Sequence, residues 1–240
     1  MNADDLSVFI CGCKFLPMML AKIISIGNMS NSKQHHLGII ILAAGASTRM
    51  GKPKQLLVYQ GRTFLQHTID AAVNSQCRPI LVIVGANAAK IKGEISNFPV
   101  QIVENQQWSA GMSASIRVGM EALIAVQKNI TAVVITLCDQ PFLSSTIINK
   151  IFDVYLATHK SIVACQYADT LGVPALFSRA IFSELMSLQA GVGAKSIINK
   201  YRDDVLAVPF PEGAIDIDTP QDYEQLKLMI HDSDFPIREV

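Results

Sequence analysis

Short, nearly continuous runs of Val, Ile and Leu recur along the chain from residue 38 onward. Such runs are typical of strands that are buried on both faces of a sheet. The pattern predicts strands in GIIILAA, PILVIVGA, VQIVEN, AVVITLCDQP and SIVAC, at residues 38–44, 79–86, 100–105, 132–141 and 161–165. A shorter strand is predicted in AIDID, where polar and apolar positions alternate over residues 214–218.

Between these runs, apolar residues recur at helical spacing. Helices are predicted over residues 63–73, 111–126, 144–156 and 219–230, and the last begins with Thr219 as its N-cap and Pro220 at its first helical position. Strands that alternate with helices form a mostly parallel sheet with helices on both faces. The sequence therefore predicts an α/β fold with three layers.

Composition narrows the classes of protein that the chain can represent. Half of its 240 residues are hydrophobic and 17% are charged, which is typical of a folded domain rather than a disordered chain. The 20 basic and 20 acidic residues give a formal net charge of zero, which favours neither a nucleic-acid coat nor a polybasic membrane patch. We therefore expect no nucleic-acid or membrane partner.

The cysteines and the first 36 residues bear on location and domain bounds. The cysteine count is five and no metal-type spacing recurs, so reduced thiols and a cytoplasmic protein are expected. Lysines and Pro17 interrupt the apolar stretch near the N-terminus, which argues against a spanning helix. We expect residues 1–36 to be an extension outside the fold, or alternatively an N-terminal helix packed on the domain. A single domain is expected over residues 37–232, with a tail over 233–240.

Polar loops follow several of the predicted strands. They are LAAGASTRMG after the first strand, the loop after Gly85, and CDQP after the fourth strand. In open parallel sheets the ligand crevice lies beyond the carboxyl ends of the strands. We therefore expect these loops to converge, whatever the ligand is.

The loop after the first strand has features of a phosphate cradle. Gly45 lets the backbone approach a ligand closely. Arg49 can donate two parallel hydrogen bonds to phosphate oxygens, and Lys52 and Lys54 add positive charge. The loop is neither a P-loop nor a dinucleotide fingerprint, because the required glycine spacings are absent. A solvated basic loop is the alternative interpretation.

Carboxylates and small residues complete the candidate chemistry. Asp139 closes the fourth strand and is a natural Mg²⁺ ligand, although it could equally be a turn residue. Either Asp216 or Asp218 could share the ion. Gly111, Ser113 and Ser115 lie at a predicted helix start that suits a base or ribose contact, with plain helix capping as the alternative.

Taken together, these motifs resemble those of the nucleotidyltransferases that act on molybdopterin. The resemblance covers about residues 38–230 and rests on LAAGASTRMGKPKQLL, NQQWSAGMSASIRVG, LCDQPFL, GVPALF and DIDTPQDYEQL. The combination points to the branch that includes the molybdenum cofactor cytidylyltransferases. It implies a Rossmann-like (glycosyltransferase A-like) nucleotidyltransferase fold, in which a phosphate monoester attacks an NTP and releases pyrophosphate.

The resemblance also implies roles for individual residues. Arg49 and Lys54 would hold the triphosphate and stabilise the transition state, and Asp139 and Asp218 would hold Mg²⁺. Lys52 falls on a variable position and is expected to be a solvated neighbour. The nucleotide would be surrounded by Leu42, Ala43, Ala44, Gly45, Gly85, Gly111, Ser113 and Ser115.

The identity of the two substrates is a finer question. LAAG resembles cytidylyltransferases, whereas the guanylyltransferases of this group typically carry LAGG, so CTP is favoured over GTP. The acceptor would be molybdopterin or the molybdenum cofactor, contacted by Gly172, Pro174 and Lys195. The AGVGAK segment departs from the G-D-x-G-A-R pattern of the family, since Gly191 replaces the aspartate and Lys195 the arginine.

Other functions stay open at this point. The enzyme could transfer a different nucleotide, or it could use a sugar or polyol phosphate as acceptor. A binding module or chaperone that holds nucleotide or cofactor without turnover is an alternative from another class. A recipient molybdoenzyme, or its chaperone, is a possible partner of the enzyme.

Overall fold

The computed structural model describes residues 36–232. The predicted tail over 233–240, and the predicted extension over 1–36 apart from its last residue, lie outside this range. Nine strands are present in the described part of the chain: β1 (Leu37–Ala43), β2 (Val58–Tyr59), β3 (Arg62–Thr63), β4 (Ile80–Val84), β5 (Gln101–Glu104), β6 (Ala132–Leu137), β7 (Ile162–Tyr167), β8 (Thr170–Ser178) and β9 (Leu206–Pro209).

Seven of these strands form one sheet, in the order β5-β4-β1-β6-β8-β7-β9. Strands β5, β4, β1 and β6 are parallel neighbours, and β7 is parallel to β9. Strand β8 runs against both β6 and β7. The sheet is therefore mostly parallel, and β2 and β3 form a separate antiparallel hairpin.

Helices cover both faces of the sheet. They are α1 (Phe64–Val73), α2 (Ala88–Ile95), α3 (Met112–Val126), α4 (Ser145–Thr158), α5 (Phe182–Met186), α6 (Ala194–Lys200) and α7 (Pro220–Asp232). Ile39 and Ile41 of β1 belong to the apolar core that includes α1, α2 and α4. Ile40 and Leu42 belong to the core on the opposite face, with α3, α5 and α6. The predicted three-layer α/β architecture is confirmed.

A third, smaller cluster lies beside the main core and fixes the segment after β1. Met50, Leu57 and Tyr59 are buried in it against Tyr223 and Leu226 of α7. The Tyr223 hydroxyl also donates a hydrogen bond of 2.7 Å to the carbonyl oxygen of Val58. The last helix thus holds the chain between the first strand and the hairpin in place.

The five predicted core strands and the four predicted helices are confirmed, with small differences in their bounds. The predicted strand over AIDID is wrong, because residues 215–218 have no regular structure. A single backbone bond of 3.2 Å, from Ile217 N to Asp139 O, ties this segment to the end of β6. Helices α2, α5 and α6, the β2–β3 hairpin and strands β8 and β9 were not predicted. Each of them is short, except β8, in which Gly172 and Pro174 weaken the strand pattern.

None of the helices in residues 36–232 combines the length and the apolar character that a bilayer crossing requires.

Candidate active site

A cavity of about 450 Å³ opens at the carboxyl ends of β1 and β6. This volume lies within the roughly 300–1,000 Å³ that is usual for small-molecule sites. The loop after β1 and the CDQP loop after β6 converge here, as predicted for the carboxyl ends of the strands, whereas the loop directly after Gly85 contributes no residue to the lining. The cavity is lined by Leu42, Ala44, Gly45, Ala46, Ser47, Thr48, Arg49, Lys54, Gln55, Trp108, Ser109, Gly111, Met112, Ser115, Leu137, Cys138, Asp139 and Asp218.

The backbone of the loop after β1 is fixed by two polar side chains. Ser47 adopts a left-handed conformation (φ 55°), and its Oγ accepts a hydrogen bond of 3.0 Å from the backbone N–H of Lys54. Gln55 is 1% exposed and its Nε2 donates to the carbonyl oxygens of Ala43 (3.0 Å) and Gly45 (2.8 Å). Sequence reasoning missed Gln55, because its partners are set by the loop's path rather than by any spacing.

Lys54 lies at the centre of the charged part of the cavity. Its Nζ is 2.5 Å from Asp139 Oδ2 and 2.8 Å from Asp218 Oδ1. Arg49, whose side chain is 75% exposed, contacts the other oxygen of Asp218 at 3.0 Å. Two cations and two carboxylates from distant parts of the sequence thus form one network. Their proximity agrees with the expected convergence of the loops, but their direct pairing was not predicted.

The network shifts the protonation of its members. Burial by itself lowers the pKa of Lys54, but the charge of Asp139 and the hydrogen bonds to Asp139 and Asp218 outweigh it, so the pKa lies above its usual value. The hydrogen bond from Lys54 lowers the pKa of the Asp218 carboxyl. Lys54 therefore remains charged at neutral pH even though it is largely buried.

Three aspartates form a group that fits a divalent cation. Asp139, Asp216 and Asp218 each offer a carboxylate oxygen, and these oxygens lie within 4.8 Å of one another. Within residues 36–232, the buried Oδ1 of Asp139 has no hydrogen-bond partner. Burial, and after it the negative charge of Asp139, raises the pKa of Asp216 to about 7. Hard oxygen ligands in this arrangement suit Mg²⁺ or Mn²⁺.

The other residues that line the cavity are uncharged. They include Trp108 and five of the residues predicted to contact the nucleotide, and those contacts stay a prediction: Leu42, Ala44, Gly45, Gly111 and Ser115. A Cβ on Gly45 would meet no atom within 4 Å, so the space above its backbone is open. Gly111 has a left-handed φ of 94° at the start of α3, which a side chain would strain.

Three of the predicted nucleotide contacts do not line the cavity. The side chain of Ala43 packs in the core on the other face of β1. Ser113 is fully buried. Gly85 lies behind the cavity wall, where a Cβ would come 2.6 Å from Trp108 Cβ and 2.8 Å from the carbonyl oxygen of Ala44. Because Gly85 has no side chain, Trp108 and Ala44 can pack closely against its backbone, and this close packing supports the cavity wall.

The predicted acceptor residues also lie outside the cavity lining. Gly172 and Pro174 are buried in β8, and a Cβ on Gly172 would collide with the Tyr167 hydroxyl. Lys195 is exposed on α6. The AGVGAK segment, which contains Lys195, nevertheless approaches the rim of the cavity, because Gly191 N is 3.7 Å from the position of a Cβ on Gly111. Acceptor contacts by these residues stay a prediction.

The site combines a charged lysine with clustered carboxylates at the carboxyl ends of a mostly parallel α/β sheet, and comparison with known proteins identifies the class of protein. Residues 39–205 match the family model described as the MobA-like NTP transferase domain. This match spans more than half of the chain, and the chain therefore belongs to that family.

Individual relatives add detail. Rv0371c from Mycobacterium tuberculosis H37Rv is 32% identical, with a TM-score of 0.69, and the alignment covers 80% of this chain and 97% of that chain. A second structure of Rv0371c, in complex with manganese, is 30% identical over the same shares with a TM-score of 0.65. Nicotine blue oxidoreductase from Paenarthrobacter nicotinovorans is 36% identical over 113 residues, which are 47% of this chain and 53% of the relative. The chain thus spans about half the length of this curated relative.

Proposed function

We propose that the protein is a Mg²⁺-dependent nucleotidyltransferase that transfers CMP from CTP to the phosphate of molybdopterin or the molybdenum cofactor, with release of pyrophosphate. The observation that carries the proposal is the position of Lys54. Its ammonium group is held by Asp139 and Asp218. It follows the loop after β1, in which the space above the Gly45 backbone is open to a ligand. Family membership supports the reaction class.

The carboxylates have the composition expected of a metal site in this reaction. Asp139 and Asp218 would hold Mg²⁺, and Asp216 is close enough to add a third oxygen. The manganese complex of Rv0371c supports a divalent ion in this family. Mg²⁺, when bound, neutralises negative charge on phosphate oxygens. The unpartnered Oδ1 of Asp139 is a free ligand atom for it.

The cations would act on the triphosphate. Lys54 is fixed by its carboxylate partners and is charged throughout the neutral range, so it can stabilise charge that develops as the bond to pyrophosphate breaks. Arg49 is exposed at the mouth and can reach the outer phosphates. The attacking phosphate of the acceptor is already anionic. Alignment and charge neutralisation therefore suffice, and no strong general base is needed.

The choice of substrates rests on the motifs. Ala44 lines the cavity, and its methyl group narrows the space that a glycine would leave, which favours a pyrimidine such as cytosine. The molybdopterin acceptor is supported by the resemblance of the motifs. GTP, a sugar or polyol phosphate, and nucleotide binding without turnover are the competing possibilities. A recipient molybdoenzyme or its chaperone, and a cytoplasmic location, belong to the same proposal.

A pyrophosphate-release assay tests the proposal. Purified protein with Mg²⁺ is given each NTP in turn, with molybdopterin or with sugar and polyol phosphates as acceptor. Release that requires both CTP and molybdopterin is the expected result. Release with GTP alone would reject the base assignment, and release only with a sugar phosphate would reject the acceptor.

Substitution of one carboxylate tests the metal role. Asp139→Asn should abolish pyrophosphate release, because it removes the buried charge that would bind the ion, while the folded circular dichroism spectrum is kept. Asp153→Asn, an equivalent change at an exposed position on α4, is the matched control and should retain activity. Near-normal turnover of Asp139→Asn at saturating Mg²⁺ would contradict the proposed role.

A further inference from the structure

A buried amide and a hydroxyl form a hydrogen-bonded pair beside the cavity. Asn105 follows β5 and is 1% exposed. Its Nδ2 donates a hydrogen bond of 3.0 Å to Ser115 Oγ, and its Oδ1 accepts one of 2.9 Å from the backbone N–H of Gln107. A backbone N–H can only donate, so the amide oxygen must face Gln107 and the amide nitrogen must face Ser115. The orientation of the amide is therefore determined.

This orientation decides what Ser115 can do. Because its Oγ accepts from Asn105, the hydroxyl proton must be donated elsewhere. In the described part of the chain, no protein acceptor receives a hydrogen bond from this hydroxyl. Ser115 is 4% exposed, yet it lines the cavity. A buried hydroxyl without an acceptor is unfavourable, and the open cavity is where an acceptor would lie.

The sheet order places this hydroxyl away from the charged centre. Ser115 Oγ is held beside the end of β5, whereas Asp139 follows β6, three positions along the sheet. Neighbouring strands are about 4.8 Å apart, so these two strand ends are separated by roughly 14 Å. A ligand whose phosphates contact Lys54 and Arg49 would therefore bring its other end to Ser115. In a nucleotide that end is the base.

We infer that Asn105 is a positioning residue that sets Ser115 as a hydrogen-bond donor to an acceptor atom on the base of the bound nucleotide. The inference rests on the proposed function, because it requires a nucleotide in this cavity. The nucleobases carry ring-nitrogen or carbonyl acceptors on their edges. The ligand class is therefore a nucleotide whose base turns such an acceptor toward α3.

Two substitutions separate this role from general packing. Ser115→Ala removes the donor. Asn105→Asp keeps an oxygen for the Gln107 N–H but presents a second oxygen to Ser115, which would then donate its proton to the carboxylate instead of to the ligand. The probes are CTP and ribose 5-triphosphate, which lacks the base, each with Mg²⁺ at pH 8.5. Binding is measured by calorimetry and by the fluorescence of Trp108, the sole tryptophan of the chain, which lines the cavity.

Each substitution should weaken CTP binding about three- to tenfold, as expected for one neutral hydrogen bond. The affinity for ribose 5-triphosphate should stay unchanged, and the double variant should lose no more than either single one. Equal weakening of both ligands by Ser115→Ala would overturn the inference, since the hydroxyl would then face ribose or phosphate. Unchanged CTP affinity in a folded Asn105→Asp variant would also overturn it. If that variant does not fold, Ser115→Ala decides alone.

Failure of the proposed function would look different. A wild-type protein that binds no NTP would overturn that function and this inference together. Nucleotide binding that is insensitive to both substitutions would overturn only the inference.

Discussion

Replacing Lys54 with methionine removes the cation that joins Asp139 and Asp218 and keeps a side chain of similar length. In the wild-type protein, Lys54 Nζ contacts Asp139 Oδ2 and Asp218 Oδ1. An ion held by Asp139 and Asp218 would bind these same two carboxylates. Lys54 is therefore both the partner of the carboxylates and a competitor of the ion. The substitution should destabilise the metal-free protein and strengthen its response to metal.

The magnitude follows from the burial of the two pairs. At 2.5 Å, two unit charges in an effective dielectric of about 20 attract by about 6–7 kcal/mol before desolvation is subtracted. Removing one partner of a buried pair typically costs 3–5 kcal/mol. The Asp139 side chain is 7% exposed, but that of Asp218 is 42% exposed and adds little. We expect a loss of about 3 kcal/mol, which for a domain of this size lowers Tm by about 6–12 °C.

Thermal melts in chelator, and then with Mg²⁺ or Mn²⁺, measure both effects. In chelator, Lys54→Met should melt below the wild type by that amount. Saturating metal should raise the Tm of Lys54→Met by more than it raises the Tm of the wild type, because no ammonium group then shares the two carboxylates with the ion. Lys90→Met, which removes an exposed lysine on α2 outside the cavity lining, is the control and should change neither the Tm in chelator nor the gain in Tm with metal. Equal melting temperatures in chelator, or equal gains with metal, would refute the reasoning.

Two further predictions concern glycines and thiols. Gly85→Ala should lower the free energy of unfolding by about 1–3 kcal/mol, since its Cβ would come 2.6 Å from Trp108 Cβ. Gly45→Ala, whose Cβ meets no protein atom within 4 Å, should keep the wild-type Tm yet weaken NTP binding in calorimetry; the reverse pattern would contradict both assignments. Burial raises the pKa of Cys77 to about 11 and of Cys138 and Cys165 to about 12, so iodoacetamide at pH 8 should modify these thiols only after unfolding. Peptide mapping by mass spectrometry checks this, and rapid labelling of the native protein would disprove it.

The central strands and the charged residues could be predicted from the sequence because they follow from local pattern. The apolar runs give β1, β4 and β6 directly, and strand order then places Lys54 and Asp139 at one edge. Strand β8 could not be found in this way, because Gly172 and Pro174 weaken a strand signal and its place is set by pairing with β6. Side-chain to main-chain bonds, such as those of Gln55, depend on the path of a loop and leave no periodic signal.

Asp216 and Asp218 lie close to Asp139, as predicted, but the reason given for this prediction was wrong. Alternation along a strand predicted a shared face, but residues 215–218 form no strand. Their position depends instead on the bond from Ile217 N to Asp139 O and on the packing of the helix that follows. A tertiary contact thus replaces the regular pairing that the pattern suggested.

The assembly of the charged centre is explained by packing rather than by attraction among its charges. Lys54 is 85 residues from Asp139 and 164 from Asp218 along the chain. Parallel pairing of Leu42 with Leu137 brings the ends of β1 and β6 together. The apolar cluster of Met50 and Leu57 with α7 adds the third segment. Each large apolar side chain buried there contributes about 1.5–3 kcal/mol, so the cluster as a whole exceeds the roughly 3 kcal/mol expected from the ion pairs. The fold should therefore hold the carboxylates close together even when Lys54 is replaced, which is why a metal ion can compensate for its loss.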